Sequence, residues 1–490
     1  MARTDWSAGD ERQKSPAARQ KSPAVRPDDG KVGKTNGSAG PKQRVGEGDW
    51  GRSIDGECGG TFGIVLLMGF CPFIVGYTWL ACNGFDCELV SAITQPTKVV
   101  EILTTNLSNE QAAGFANIIF ATKLFFIWMT FQVLLARFMP GPIAFGQPTP
   151  KGPPLPYIVN GLNCLIFTIA VFCVCTFYLK LFPATIIYDN WGSLLVVAVV
   201  CGYSLSLVAY FKAIYFPTNQ DNKISGNFFY DLLWGIELNP RIGKYFDFKL
   251  FFNGRPGIIG WAIFNISFAA KQYELYGRVT NSMILVNLFE LTYIFDYFVG
   301  EDWYLGTLDI MLDHFGWYYA FGDIVFLPWI YDLQGYFLAH HPIDLPTWAV
   351  IGLFVFHYGG YYIFRSVNNE KRRFRETNGK TKVWFGTTTP TWITATYTKP
   401  DGSKAESKLL TNGYWGLARH FNYFGDLCMA LAWCAACGVT HVHPYVYFAV
   451  LSGILINRIY RDNRRCSSKY GKDWDKYCSI VKYKLIPYVW

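Results

Sequence analysis

Charge is what this 490-residue chain has least of: Asp, Glu, Lys and Arg make up 16% of it, against about a quarter in an ordinary soluble domain. A soluble chain of this length would divide into roughly three domains and carry that larger share of charge. Nor is it poor enough in apolar residues to be mainly disordered, since 51% are hydrophobic and mean hydropathy is +0.15. Collagen-like and small disulfide-stapled chains are excluded by the same composition. No apolar run follows the charges of the first thirty or so residues, so a cleavable secretory leader is not expected. The 13 cysteines are scattered and show no paired extracellular framework. Aromatic residues are abundant instead: 17 Trp, 31 Tyr and 40 Phe. Low charge with high aromatic content points to a protein embedded in a membrane.

The few charges are unevenly placed. Residues 1–52 carry 11 Lys/Arg against 7 Asp/Glu, residues 458–490 carry 9 against 3, and the stretch between carries 24 against 26. The first segment has little that could form a core, and RQKSPA occurs in it twice, at 12–17 and 19–24. It reads as a disordered basic tail (1–52) whose Lys-Ser-Pro pairs are open to phosphorylation. From Thr61 the chain changes character: TFGIVLLMGFCPFIVGYTWLAC (61–82) has no charge and is long enough to cross a bilayer. Further spans are expected near 112–137, 158–182, 192–216, 258–273, 282–299, 317–338, 347–364, 421–437 and 443–457. The fold class is therefore all-α and polytopic, with about ten transmembrane helices over 53–490. An even count puts both basic ends on one side, the cytosolic side by the positive-inside rule. The loops holding Arg137, Lys151, Arg241, Lys244, Lys249 and Arg255 fall there as well. In the long loop after the eighth span, Thr394–Thr398 and the residues following the PDG turn (400–402) suggest a small hairpin. The sequon Asn106–Ser108 falls in a loop on the opposite side.

Several motifs compete for chemistry. Gly46, Gly48 and Gly51 spell GxGxxG, but no strand precedes them and no helix follows, so a Rossmann site is not expected. CAAC (434–437) lies on an apolar helix, where cysteine acts as a small hydrophobe. HVH (441–443) and His340–His341 read as loop or interface histidines. Lys371 and Arg375 are spaced i, i+4, which puts two cations on one helix face at the water boundary. That suits a phosphate, though the pair alone reads first as a topology-setting flank. GYWGLARHFNYFGD (413–426) places Trp415, Arg419, His420, Asn422, Tyr423 and Asp426 at the mouth of a span, and Arg458 and Asp462 repeat the i, i+4 spacing at the exit of the last. Ionisable groups at a membrane boundary are costly, so three such clusters read as a site: a polar dinucleotide pocket facing the cytosol. Asp302, Asp309, Asp313 and His314 form a second polar patch. Within span six, Tyr293 lies three residues from both Glu290 and Asp296. A phenol beside a carboxylate suits proton donation, and an interhelical hydrogen bond accounts for it as well.

LLWGIELNPRIG (232–243), FFNGRPGIIGW (251–261), SFAAKQ (267–272), LDHFGWYYAFGDIVFLPWIYDLQGYFLAHHP (312–342), the 413–426 box and RDNRRCSSKYGKDWDKYC (461–478) together resemble the sterol reductase family. The similarity spans about 50–490. FFNGRPG followed by SFAAKQ is most similar to its Δ7-reductase branch. The resemblance implies a ten-helix endoplasmic reticulum membrane enzyme that uses NADPH to reduce the C7–C8 double bond of Δ5,7-sterols. Sterol and membrane lipid are its implied partners, alongside other enzymes of sterol biosynthesis; nucleic acid is not. It further implies a cofactor pocket within about 365–490. Lys371 and Arg375 would hold phosphates, and Leu410, Trp415, Asn422 and Tyr423 would line the pocket. Arg458, Asp462, Cys466, Lys469, Tyr470 and Tyr477 would complete it, with Arg419, His420 and Asp426 beside them and no metal. Tyr293 and Asp462 are the candidates for proton supply. Alternatives are reduction at Δ14 or C24(28), a non-catalytic sterol-binding protein, and a membrane methyltransferase similar in its last two helices.

Overall fold

The computed structural model describes residues 60–108, 118–149, 152–398 and 402–490. The repeats, the GxGxxG match, Lys151 and most of the PDG turn lie outside those residues. The expectation of a predominantly helical chain holds. Among the described residues, five helices are long and apolar enough to cross a membrane: α1 (Gly60–Gly84), α2 (Ile118–Phe138), the helix Gly161–Tyr178, whose regular part is α3 (Gly161–Cys173), α4 (Trp191–Tyr215) and α6 (Asn281–Val299). Their large side chains face outward in number, as with Phe62, Leu66, Phe70 and Phe73 on α1. That arrangement suits hydrocarbon and not water.

The other expected spans are helical too, but their outlines differ from the apolar windows. α5 (Ile259–Tyr276) follows a wider π-type stretch at Asn253–Ile258, and α7 (Leu333–His340) follows another at Gly322–Tyr331. Each stretch contains a proline, Pro256 or Pro328, whose missing N–H breaks the regular ladder. α8 (Thr347–Glu376), α9 (Phe421–Ala436) and α10 (Val446–Tyr470) come next. In α8 and α10 the helix continues well past its apolar half into a charged extension. α11 (Lys472–Ile480) closes the chain. Three antiparallel pairs of strands complete the described structure: β1 (Ile143–Phe145) with β2 (Pro156–Ile158), β3 (Arg241–Ile242) with β4 (Phe246–Asp247), and β5 (Trp392–Thr398) with β6 (Lys404–Leu410). The last pair, in register from Trp392 opposite Leu410 to Thr398 opposite Lys404, is the expected hairpin.

Buried ions tie the connections together. Arg255 and Glu301 form a fully buried pair, with Asn160 accepting from Arg255 at 2.8 Å and Gly161 N–H donating to Glu301 at 2.7 Å. Lys249, fully buried, donates to the carbonyls of Asp309, Ile310 and Asp313 at 2.7–2.8 Å. Three charge-assisted bonds on one loop fix how Asp309 and Asp313 are presented. One cysteine pair departs from expectation: Cys82 and Cys87 are joined by a disulfide. CAAC stays reduced and packed, Cys434 donating to the Pro444 carbonyl.

Candidate active site

The site is set by how closely α8 and α9 cross. A Cβ on Gly425 would lie 2.6 Å from Phe364 N, and one on Gly360 would lie 2.9 Å from Gly425 O. Only two glycines allow the backbones this near. The crossing brings the charged extension of α8 over the loop that precedes α9. There Glu370 accepts from the backbone N–H groups of Trp384 and Tyr414, each at 2.8 Å. Burial pushes its carboxyl above the ordinary range. Gly413, at φ +69°, lies so close to that carboxylate that a Cβ would meet it at 2.4 Å. The turn so held presents Trp415, whose indole N–H donates to the Val367 carbonyl at 2.8 Å. Lys371 Nζ sits 3.7 Å from the centroid of the Trp415 ring. Desolvation, and next the Arg375 charge, hold the Lys371 ammonium down to about 7.

The hairpin joins this wall to the extension of α10. Successive strand residues face opposite ways: Leu410 packs with Val367, Phe374 and Trp415, while Leu409 packs with Ile393, Cys466, Tyr470, Trp474 and Tyr477. Lys469 Nζ lies 3.9 Å from the Tyr397 ring centroid, and Tyr470 meets the same ring edge-on. Asp462 accepts from His420 Nε2 at 3.2 Å and, more weakly, from the Cys466 thiol at 3.8 Å. Burial opposes ionisation of Asp462, yet His420 and the Lys371 and Arg465 charges hold its pKa below the ordinary value. Tyr423 stacks on His420. Asn422 donates to Asn368 at 3.2 Å, which leaves Asn422 Oδ1 and Asn368 Nδ2 buried and unpartnered. Arg419 is turned the other way, donating to the Val481 carbonyl at 3.1 Å.

Deeper in the bundle, Tyr293 stands between the rings of Trp261 and Trp433, at 5.9 and 5.7 Å. Asp426 and Arg458 are within electrostatic reach of its hydroxyl. Trp261 and Asn265 both donate to Glu290 Oε2, at 2.7 and 2.6 Å. Glu290 Oε1 and both carboxyl oxygens of the fully buried Asp332 have no partner. Asp296 is engaged elsewhere, by Tyr361 at 2.6 Å and Arg365 at 2.9 Å.

Residues 52–490 match the model of the ergosterol biosynthesis ERG4/ERG24 family. The chain belongs to this family. It is 45% identical over 460 residues to 7-dehydrocholesterol reductase of Xenopus laevis, covering 91% of this chain and 96% of that protein. It is 44% identical over 450 residues to the protein of the same name from Danio rerio, covering 89% and 93%. Delta(14)-sterol reductase of Methylotuvimicrobium alcaliphilum is 37% identical over 432 residues, covering 88% and 95%.

In this ERG4/ERG24 sterol reductase the structure gathers Lys371, Arg375, Leu410, Trp415, Asn422, Tyr423, Asp462, Cys466, Lys469, Tyr470 and Tyr477 around the extensions of α8 and α10 and the start of α9. Arg458 belongs there by position but is already paired with Asp309 at 2.8 Å, and its neighbour Arg461 with Asp313 at 2.7 Å. Asp309 and Asp313 of the second polar patch thus serve as counter-charge to α10, while Asp302 meets Arg372 of α8 at 3.2 Å. Three residues escaped sequence reasoning. Arg465 acts electrostatically on Lys371, Arg375 and Lys469; its i, i+3 and i, i+4 spacing from Asp462 and Lys469 was the available signal. Glu370 was hidden as one acid in a basic run. Asp332 lay inside an apolar stretch with nothing beside it in sequence to mark a partner.

Proposed function

We propose that this sterol reductase transfers a hydride from NADPH to the C7–C8 double bond of Δ5,7-sterols, in the endoplasmic reticulum membrane. On this reading the bundle crosses ten times, both termini are cytosolic, and other enzymes of sterol biosynthesis are neighbours. The observation that carries it is the cluster of cations between the extensions of α8 and α10. Lys371, Arg375, Arg465 and Lys469 converge there with Asp462 as the acid among them, and the nearby carboxylate bridges go to Arg458 and Arg461 instead. Such an excess of cations, beside the flat face of Trp415 and the two orphaned amides of Asn368 and Asn422, fits a planar cofactor with several phosphates. Lys371 and Arg375 would hold phosphate, and Asn422 and Tyr423 would meet the polar body of the cofactor. Bound there, NADPH supplies the hydride.

The chain's own residues supply the rest. An isolated alkene accepts hydride poorly, whereas a conjugated diene can be protonated first to an allylic cation. Tyr293 is the immediate proton donor, because Asp462 is held as its carboxylate and serves to orient His420. The aromatic walls of Trp261 and Trp433 exclude water, so the cation is not hydrated. Membranes containing the protein, given NADPH and 7-dehydrocholesterol, should lose the diene's ultraviolet absorbance. Retention of that absorbance, with Δ14-dienes reduced instead, would move the assignment to the Δ14 branch that the bacterial relative represents.

A further inference from the structure

At the end of the bundle away from Lys371, three connections converge that the reductase chemistry does not use. α8 starts at this end, and Lys371 lies 24 residues along it, about 36 Å away at the helical rise. The first connection is the short loop after α1. Asp86 and Cys87 both sit at positive φ there, +52° and +61°, and the Cys82–Cys87 disulfide closes the turn. The second is the end of α7 with His341, and the third is the loop between α9 and α10 with His441. One ligand atom from each of Asp86, His341 and His441 lies within 4.8 Å of the others.

Each of the two rings turns Nδ1 to an oxygen of its own chain segment and Nε2 toward a carboxylate. His341 Nδ1 lies 3.3 Å from the Phe337 carbonyl, while its Nε2 lies 3.1 Å from Asp86 Oδ1. Both of those neighbours accept only, and a neutral imidazole has one N–H to give. His441 has a similar layout, with Nδ1 at 2.9 Å from the Thr440 hydroxyl, which can donate or accept, and Nε2 at 3.5 Å from Glu88 Oε1. The two rings lie 4.8 Å apart, centroid to centroid. A single divalent cation can take a nitrogen of each ring and an Asp86 oxygen together, since those atoms already lie within 4.8 Å of one another. Nδ1 held by a carbonyl or hydroxyl with Nε2 turned to the ligand is how metal-binding histidines are oriented. His340 stays outside the group, because its Nε2 is 2.7 Å from the Tyr188 hydroxyl.

We propose that Asp86, His341 and His441 bind a zinc-type divalent cation that pins the three connections together. Two imidazole nitrogens and a carboxylate oxygen, with the fourth position left to water, suit Zn²⁺ in tetrahedral geometry, with Cu²⁺ and Ni²⁺ as competitors. The full-length enzyme in nanodiscs, stripped with chelator and dialysed, should take up one equivalent of Zn²⁺ in a titration against a zinc indicator. Uptake should weaken at least tenfold in His441→Asn and in Asp86→Asn. Zinc should raise the melting temperature of the native protein by a few degrees and leave that of both variants unmoved. Sterol reduction by the variants should persist, which reports that they fold. Zinc uptake equal in native protein and variants, or no saturable uptake at all, would overturn the proposal. The first outcome would assign the metal to side chains elsewhere, the second would leave the cluster as hydrogen bonds alone.

Discussion

Lys371 and Arg375 lie four residues apart, and both the reach of the sequence and its limit show there. Their spacing was legible as a two-cation face; that Trp415 supports one of them, and that Glu370 shapes the turn carrying Trp415, was not. Those contacts join residues more than 40 positions apart, beyond any local pattern. Arg375→Ala should raise the KM for NADPH by about tenfold to a hundredfold with little change in kcat, the scale of a lost charge-assisted hydrogen bond. Unchanged cofactor dependence in steady-state kinetics would remove Arg375 from the pocket. Lys371 gives a pH test. With its pKa held to about 7 in the free protein, it loses charge as pH rises, and phosphate favours the charged form. KM for NADPH should therefore climb between pH 7 and 9, where the cofactor's own phosphates are already ionised. Lys371→Arg should flatten that profile. Tyr293→Phe should lower kcat by about a hundredfold or more with sterol KM held, and near-native turnover would transfer proton supply to another group.

At the scale of elements, hydropathy found where the helices lie but not where they stop. α8 and α10 run on past their apolar windows as single helices, and the charged residues beyond those windows are the ones forming the cation cluster. Pro328 falls in a segment that read as a continuous span and Pro256 just before another, and each accompanies a π-type stretch. The Gly360–Gly425 crossing had no sequence signal, because a glycine matters here only through the backbone it faces. Gly425→Leu should push α9 from α8, weaken NADPH binding and lower the melting temperature together. A variant with native cofactor affinity would mean that the crossing does not set the site. Lys249→Met should leave three loop carbonyls without their donor and destabilise the protein by about 3 kcal/mol, seen as a lower melting temperature. The loop that presents Asp309 to Arg458 would loosen with it.

The whole molecule joins two environments whose residues differ as their chemistry requires. An apolar bundle carries Tyr293 among indole rings, and a basic cap carries the cations proposed to hold a polar cofactor. Sparse charge was the first sign of the bundle, and the excess at 458–490 was the first sign of the cap. The acids that balance the cap, Asp309 and Asp313, came from a loop that sequence alone did not connect to it. The account requires the proton and the hydride to meet at one double bond. A competition in deuterated water, offering the purified enzyme NADPH with equal Δ5,7- and Δ8,14-sterol dienes, tests this most directly by mass analysis of the products. The account predicts loss of the Δ5,7-diene, with one solvent deuterium and one cofactor hydrogen added across C7–C8. Preferential consumption of the Δ8,14-diene, or a product without solvent deuterium, would contradict it.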